Sequence, residues 1–224
     1  MMQEPLKNLF NASKLLILNF DQIPDDIPAS ENIQHFFEQS TTLGIDPKTP
    51  NQRQQFNNQM IKDTGRRYIV SRYGEDRRAM LAGSSIAKEG RTIHLGVDIF
   101  SKNLEAVYAP CDGEVICYGQ EPESHSFGHY LVFKPSLDIP YIFFAHLDGQ
   151  PKKLGAVKAG DQIAKLGDYE TGENGGWSRH LHLQMMTKLS PNCQAPLGYA
   201  SQETFPELSK IYPSPMTYFP KWKL

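Results

Sequence analysis

Two apolar runs in the middle of the chain decide its fold class: HYLVFK at residues 129–134 and YIFFAH at residues 141–146. Such short runs, rich in branched and aromatic residues and bounded by Gly, Pro or Asp-Gly, are typical of β-strands. Eight short strands with no long helix between them predict a mainly β fold, with antiparallel sheets forming a two-sheet sandwich or open barrel. The other six runs are residues 68–73, 92–100, 106–109, 113–118, 162–165 and 180–186.

The first 65 residues are richer in Gln and Asn and lack these short runs. Ser30 can cap a helix over residues 31–39, and Thr49 with Pro50 begins a clearer helix over residues 51–62. We therefore predict a helical N-terminal extension over residues 1–65 and a β-domain over residues 66–190. Residues 191–224 are expected to form an irregular tail packed on that domain.

Bulk composition excludes several classes of function. The chain has 224 residues, 39% hydrophobic and 21% charged, with a net charge of −2. This balance gives no general attraction to nucleic acid or to an anionic membrane, so neither is expected as a partner. No apolar stretch approaches the roughly 20 residues of a membrane helix, and no signal-peptide pattern is found. The expectation is a cytoplasmic protein with three free, buried thiols at Cys111, Cys117 and Cys193.

Histidines fall within or at the ends of the predicted strands. His180 and His182 are two residues apart, so both imidazoles lie on one face of their strand. His94 and Asp98 are four apart, with Gly96 between them, and can also share a face. Two imidazoles and one carboxylate would make a zinc site with one open position, as catalytic sites have. Each pair on its own is equally compatible with a purely structural role.

A third histidine ends the run YIFFAH. Taken alone, His146 is explained by a hydrogen bond inside the core, but three histidine-bearing strands together favour one shared concave face. Two aromatic residues are candidates for the walls of a substrate groove. Tyr73 precedes the His94 strand, and Trp177 follows the pair Gly175-Gly176 in the loop before His180.

The order His94-x-x-x-Asp98, a strand ending in His146-Leu147, and His180-x-His182 resembles the lysostaphin-type, LytM-like zinc metallopeptidases. The resemblance covers residues 92–186 and implies the duplicated hybrid motif fold. It implies that His94, Asp98 and His182 hold Zn²⁺ and that His146 and His180 are catalytic. The chain departs from the family pattern in the loop of residues 171–179 and in having Leu183-Gln184 after the last histidine.

The function implied is a zinc-dependent endopeptidase that hydrolyses peptides or peptidoglycan fragments. One alternative is a silent relative that binds a peptide or partner protein in the same groove. Another is a phosphohistidine carrier of related sheet architecture, which would need no Asp98. Bound zinc separates the carrier from the peptidase, and chelator-sensitive cleavage separates the enzyme from the binder.

Overall fold

The computed structural model describes residues 49–64, 68–78, 80–81 and 83–218, with only the backbone of residues 63 and 64. Three helices are present in this part of the chain: α1 (Pro50–Thr64), α2 (Ser85–Lys88) and α3 (Phe205–Ile211). Short 3₁₀ turns occur at Pro191–Cys193 and Pro215–Thr217. The strands are β1 (Tyr68–Val70), β2 (Ile93–His94), β3 (Val97–Ser101), β4 (Ala106–Tyr108), β5 (Gly113–Glu121), β6 (Gly128–Pro135), β7 (Tyr141–Leu147), β8 (Gly155–Val157), β9 (Gln162–Lys165), β10 (His180–Met186) and β11 (Tyr199–Ala200).

Seven strands form one antiparallel sheet in the order β1-β3-β10-β7-β6-β5-β8. Two small sheets accompany it, one pairing β11 with β2 and the other pairing β4 with β9. The predicted mainly β, antiparallel architecture is confirmed. The chain distributes its strands as one large sheet with two small ones.

The two faces of the large sheet have different roles. Along β10, Leu181, Leu183 and Met185 point into the main hydrophobic core. The alternate residues His180, His182 and Gln184 therefore point to the opposite face. In the neighbouring β3, Val97 and Ile99 lie in the same core, so Asp98 faces away from it as well. One face of the sheet lies in the main core, and the other carries these polar side chains beside a smaller apolar cluster that includes Tyr130, Phe143 and Met186.

The predicted strand over residues 92–100 is wrong as a single unit. It divides into β2 and β3 around Leu95 and Gly96, and β2 pairs with β11 while β3 pairs with β10. The sequence did not predict β8 or β11, because runs of two or three residues carry no periodicity. The tail expected to be irregular contains β11 and α3, the latter beginning in the Thr-Phe-Pro sequence at residues 204–206.

The predicted helix at residues 51–62 is confirmed as α1, and Thr49 caps it by accepting a hydrogen bond from Gln52 N at 3.2 Å. Phe56 and Ile61 are buried, so one side of the helix packs against the rest of the fold. Gln54 Nε2 donates to Ser101 O, and Gln54 Oε1 accepts from Arg179 N. These bonds join α1 to the ends of β3 and β10. The predicted helix at residues 31–39 lies outside the described residues.

The cysteines differ from expectation. Cys117 in β5 and Cys193 form a disulfide across 76 residues of sequence, and Cys111 is free and buried. The prediction of three free thiols is therefore wrong for two of them, since no local spacing signals a pairing over that distance. Among the described helices, none is both long and apolar enough to cross a bilayer.

Candidate metal centre and groove

Three buried donor atoms converge on the polar face of the sheet. His182 Nδ1 lies 3.0 Å from Asp98 Oδ1 and 3.1 Å from His94 Nε2, and the latter lies 3.6 Å from Asp98 Oδ1. A tetrahedral zinc ion with bonds of about 2.0–2.2 Å separates its ligand atoms by about 3.3–3.6 Å. The donor set and its spacing therefore fit a small divalent cation such as Zn²⁺.

Strand register and one glycine create this convergence. His182 stands directly opposite Asp98 in the β3–β10 pair, and His94 reaches them across the break between β2 and β3. At Gly96, inside that break, an added Cβ would lie 2.5 Å from His182 Cε1 and 2.8 Å from Leu183 O. The absence of a side chain at Gly96 lets the His182 ring approach the break.

Gln184 determines which nitrogen of His182 faces the cluster. Its Nε2 donates to Leu197 O at 3.0 Å, so its Oε1 is turned toward His182 Nε2, also at 3.0 Å. An amide oxygen only accepts, so neutral His182 carries its proton on Nε2 and presents the Nδ1 lone pair to Asp98 and His94. Metal-binding histidines commonly have their second nitrogen held in this way. The Leu183-Gln184 departure from the family pattern thus lies beside the site.

The charged run at residues 72–78 contains two buried members, Arg77 and Glu75. Both are 3% exposed. Arg77 Nη1 donates to Asp98 Oδ2 at 2.5 Å, and Arg77 Nε donates to Glu75 Oε1 at 2.7 Å. Arg77 thus occupies one oxygen of Asp98 and leaves Oδ1 facing the histidines. Alternating charges in a sequence do not indicate that the side chains are buried and paired with one another.

His146 and His180 lie next to the three donors, with ring centres 4.2 Å apart. The Nδ1 atom of each contacts a backbone carbonyl: Asn174 O at 2.8 Å for His146, and Ser178 O at 2.7 Å for His180. A carbonyl accepts, so both rings carry hydrogen on Nδ1 and keep a lone pair on Nε2. His180 Nε2 is 3.7 Å from Asp98 Oδ1.

A bulge in β7 directs His146 toward this cluster. In the β6–β7 pair, Leu147 is opposite His129 and Ala145 is opposite Tyr130, so His146 is the extra residue. Its φ is +65°, an uncommon conformation for a residue with a side chain. Hydrogen bonds from His146 N to Phe127 O and from Gly167 N to His146 O hold the bulge in place. Such strained residues concentrate at functional sites.

Electrostatics favour the protonation states that metal binding needs. Burial lowers the pKa of His94 and His146 well below the usual value and also lowers that of His180. Burial would raise the pKa of Asp98, but Arg77 and the nearby histidines hold it well below its usual range. At neutral pH the rings of His94, His146 and His180 are therefore neutral, and Asp98 is an ionised carboxylate.

An open cavity of about 500 Å³ is lined by the three donor side chains of His94, Asp98 and His182 and by the rings of His146 and His180. Its other walls come from α1 through Arg53, from residues 121–127 and from residues 195–199. Trp177 lines the cavity, although it is only 8% exposed and donates from Nε1 to Ser126 O. Tyr73 is not brought to the cavity. It packs against Phe205, and its hydroxyl donates to Tyr212 O at 2.6 Å.

Comparison with known proteins locates the site within a family. Residues 92–194 match the model of peptidase family M23, and this segment contains His94, Asp98, His146, His180 and His182. Residues 92–194 are an M23 domain. A comparison with curated protein sequences gave no match. Arg53 and Arg77 lie outside the matched segment.

Solved structures with some similarity include three peptidases. A zinc-containing peptidase from Vibrio cholerae shares 28% identity over 47% of this chain and 31% of its own, with a TM-score of 0.36. The catalytic domain of lysostaphin from Staphylococcus simulans shares 23% over 52% of this chain and 80% of its own, with a TM-score of 0.38. LytU shares 25% over 54% of this chain and 80% of its own, with a TM-score of 0.36. The M23 assignment rests on the family model.

Proposed function

We propose that the M23 domain is a zinc-dependent endopeptidase in which His94, Asp98 and His182 hold the metal. The supporting observation is the mutual approach of their three donor atoms to 3.0–3.6 Å on one buried face. Gln184 and Arg77 support it further, because they fix the donor atom of His182 and the free oxygen of Asp98. When bound, Zn²⁺ supplies a Lewis acid that polarises the scissile carbonyl and lowers the pKa of water.

In this proposal His146 and His180 handle protons. Each keeps an Nε2 lone pair because its Nδ1 contacts a backbone carbonyl. One ring takes a proton from the attacking water, and the pair then delivers a proton to the leaving amine as the C–N bond breaks. The same rings, once protonated, donate to the negative oxygen of the tetrahedral intermediate. We assign these tasks to the pair jointly.

The substrate class we propose is a peptide chain, including the peptides of peptidoglycan that typify the family resemblance. An open cavity of about 500 Å³ is within the usual range for a ligand site and is large enough for several residues of an extended peptide.

We also propose that the chain divides into an N-terminal extension over residues 1–65, a catalytic domain over residues 66–190 and a C-terminal tail over residues 191–224.

The disulfide bears on where the enzyme works. Structural disulfides persist mainly in oxidising compartments, so the Cys117–Cys193 bond argues against the cytoplasmic location predicted from the sequence. We propose an oxidising compartment instead. Thiol labelling of the denatured protein from its native host should modify Cys111 alone. Labelling of all three cysteines would restore the cytoplasmic interpretation.

The decisive experiment combines metal analysis with cleavage of defined peptides on one sample. We expect about one zinc per chain, cleavage that a chelator abolishes, and recovery when zinc is returned. Stoichiometric zinc without cleavage of any peptide in a broad library would identify a binding protein instead. Cleavage that survives complete removal of metal would contradict the proposal. His129→Ala serves as a control, because His129 is not among the residues that line the cavity.

A further inference from the structure

Helix α1 places an arginine in the wall of the cavity. Arg53 is in the first turn of α1, and its guanidinium carbon lies 5.3 Å from the centre of the Trp177 ring system. Trp177 is itself held by its hydrogen bond to Ser126 O. A guanidinium over an indole gains a cation–π attraction, which keeps the charge at the cavity wall. Neither the family segment nor the metal-binding motif includes this residue.

Arg53 differs from the other two arginines of the cavity in its partners. Arg77 is paired with Glu75 and Asp98, and Arg91 is paired with Glu89. In the described part of the chain, no carboxylate forms an ion pair with Arg53. Its Nε and Nη2 atoms are buried and have no hydrogen-bond partner. The cavity therefore contains one guanidinium whose charge is not neutralised by a neighbouring described acid.

The unpartnered atoms are the two that a carboxylate would use. Nε–H and Nη2–H lie on one edge of the guanidinium and form the parallel pair of donors that fits the two oxygens of a carboxylate. Leaving buried donors without acceptors is costly, and burial lowers the pKa of Arg53. A carboxylate entering the cavity would satisfy both donors once the long side chain turns this edge outward. Lysine would supply the charge without the paired donors.

The position of Arg53 also suits recognition of a peptide near its cleavage point. The Trp177 ring system under Arg53 has its centre 6.4 Å from the centre of the His146 ring. An extended peptide advances about 3.4 Å per residue. A carboxylate about two to four residues along the peptide from the scissile bond beside His146 is therefore within reach of Arg53.

We infer that Arg53 forms a subsite for a carboxylate of the peptide substrate, so that the enzyme selects acidic peptides. This inference rests on the proposed function and narrows its substrate class. The carboxylate can belong to an acidic side chain or to a free C-terminus, since both present the same pair of oxygens. Arg53 acts here as a specificity residue and takes no part in bond cleavage.

The test uses capped hexapeptides of Ala and Gly that carry one Glu, moved through all positions, each with a matched Gln peptide. A second set compares a free C-terminal acid with its amide. Calorimetric binding and cleavage rates are measured for wild type, Arg53→Met and Arg53→Lys. At one or two positions we expect wild type to favour the acid by tenfold or more. Arg53→Met should remove the preference, because binding and cleavage of the Glu peptides fall by more than those of the Gln peptides, whereas Arg53→Lys should keep part of it.

Arg78→Met is the matched control, because Arg78 is exposed and is not among the residues that line the cavity. Thermal melts identify any variant that fails to fold. If Arg53→Met does not fold, the acid preference of wild type is compared with that of Arg53→Lys. Equal preference for acid and amide in wild type would overturn the inference, as would an equal loss for Glu and Gln peptides in Arg53→Met. Binding is measured without turnover, so acid selection without any cleavage would refute the proposed function and leave the subsite standing.

Discussion

Two regions of the same cavity are built in opposite ways. One is the metal corner, formed by His94, Asp98 and His182, and the other is the α1 wall, formed by Arg53. In the metal corner every donor is at most 2% exposed, and Asp98 and His182 each have a second contact that fixes their orientation. In the α1 wall, Arg53 is only partly buried and two of its nitrogens lack partners. A site that performs one reaction gains from fixed geometry, whereas a site that recognises a ligand keeps donors available for it. In our proposals the first region carries out the chemistry and the second selects the substrate.

The strongest test of the metal corner is to remove the partner of Asp98. Arg77→Met leaves both Asp98 and Glu75 as buried carboxylates without their shared cation. Breaking a buried ion pair in this way costs about 3–5 kcal/mol. We therefore expect a large fall in the free energy of unfolding, measured by denaturant titration of the metal-free protein.

Arg78→Met is the neighbouring control, since its pair with Asp76 is exposed and such pairs contribute about 0–1 kcal/mol. If both variants lost the same small amount of stability, the Arg77 contacts would not organise the corner as described.

A smaller effect is expected at Gln184. Gln184→Leu removes the acceptor that holds the Nε2 proton of His182, and loss of such a contact typically weakens metal binding about 10–100-fold. Competition with a chelating dye measures the change without relying on activity. Gln184→Glu retains an acceptor at the same distance and should bind metal within the wild-type range. Unchanged affinity in Gln184→Leu would show that His182 is oriented by other contacts.

For a single residue, the smallest effect concerns pH. Burial lowers the pKa of His94, His146 and His180 in the folded protein, so below about pH 6.5 the unfolded chain binds more protons. Stability of the metal-free protein should fall as pH drops from this value toward the depressed folded values. The slope reaches at most about 1.4 kcal/mol per pH unit for each histidine.

Replacing one of the three histidines tests this slope. His146→Gln removes a titrating group and should give a shallower fall, measured by denaturant titration at a series of pH values. Stability that stayed constant between pH 7 and pH 5 would contradict the assignment of neutral, buried rings.

The features that can be predicted from the sequence, the shared faces of the donor residues and the strand runs, depend on spacing between nearby residues. His180 and His182 two apart, and His94 and Asp98 four apart, place donors on faces that strand geometry fixes. The structure brings these four residues together with His146. The eight strand runs likewise lie where Gly, Pro and Asp-Gly punctuation divides the chain, although the first histidine run is broken at Gly96.

Contacts between distant residues account for what the sequence does not reveal. Arg53 meets Trp177, and Cys117 meets Cys193, across long stretches of intervening chain. Tyr73 precedes the His94 strand, yet its ring packs on Phe205 in the tail. Such pairings depend on how the elements dock, and neither periodicity nor a motif encodes them.

Metal content of two histidine variants tests the central claim most directly. His182→Ala removes a proposed ligand, whereas His146→Ala removes a ring that lies beside the three donor atoms. We predict that purified His146→Ala retains about one zinc per chain and has no peptidase activity, and that His182→Ala retains neither zinc nor activity. Equal loss of zinc in both variants, or full zinc in His182→Ala, would contradict the account.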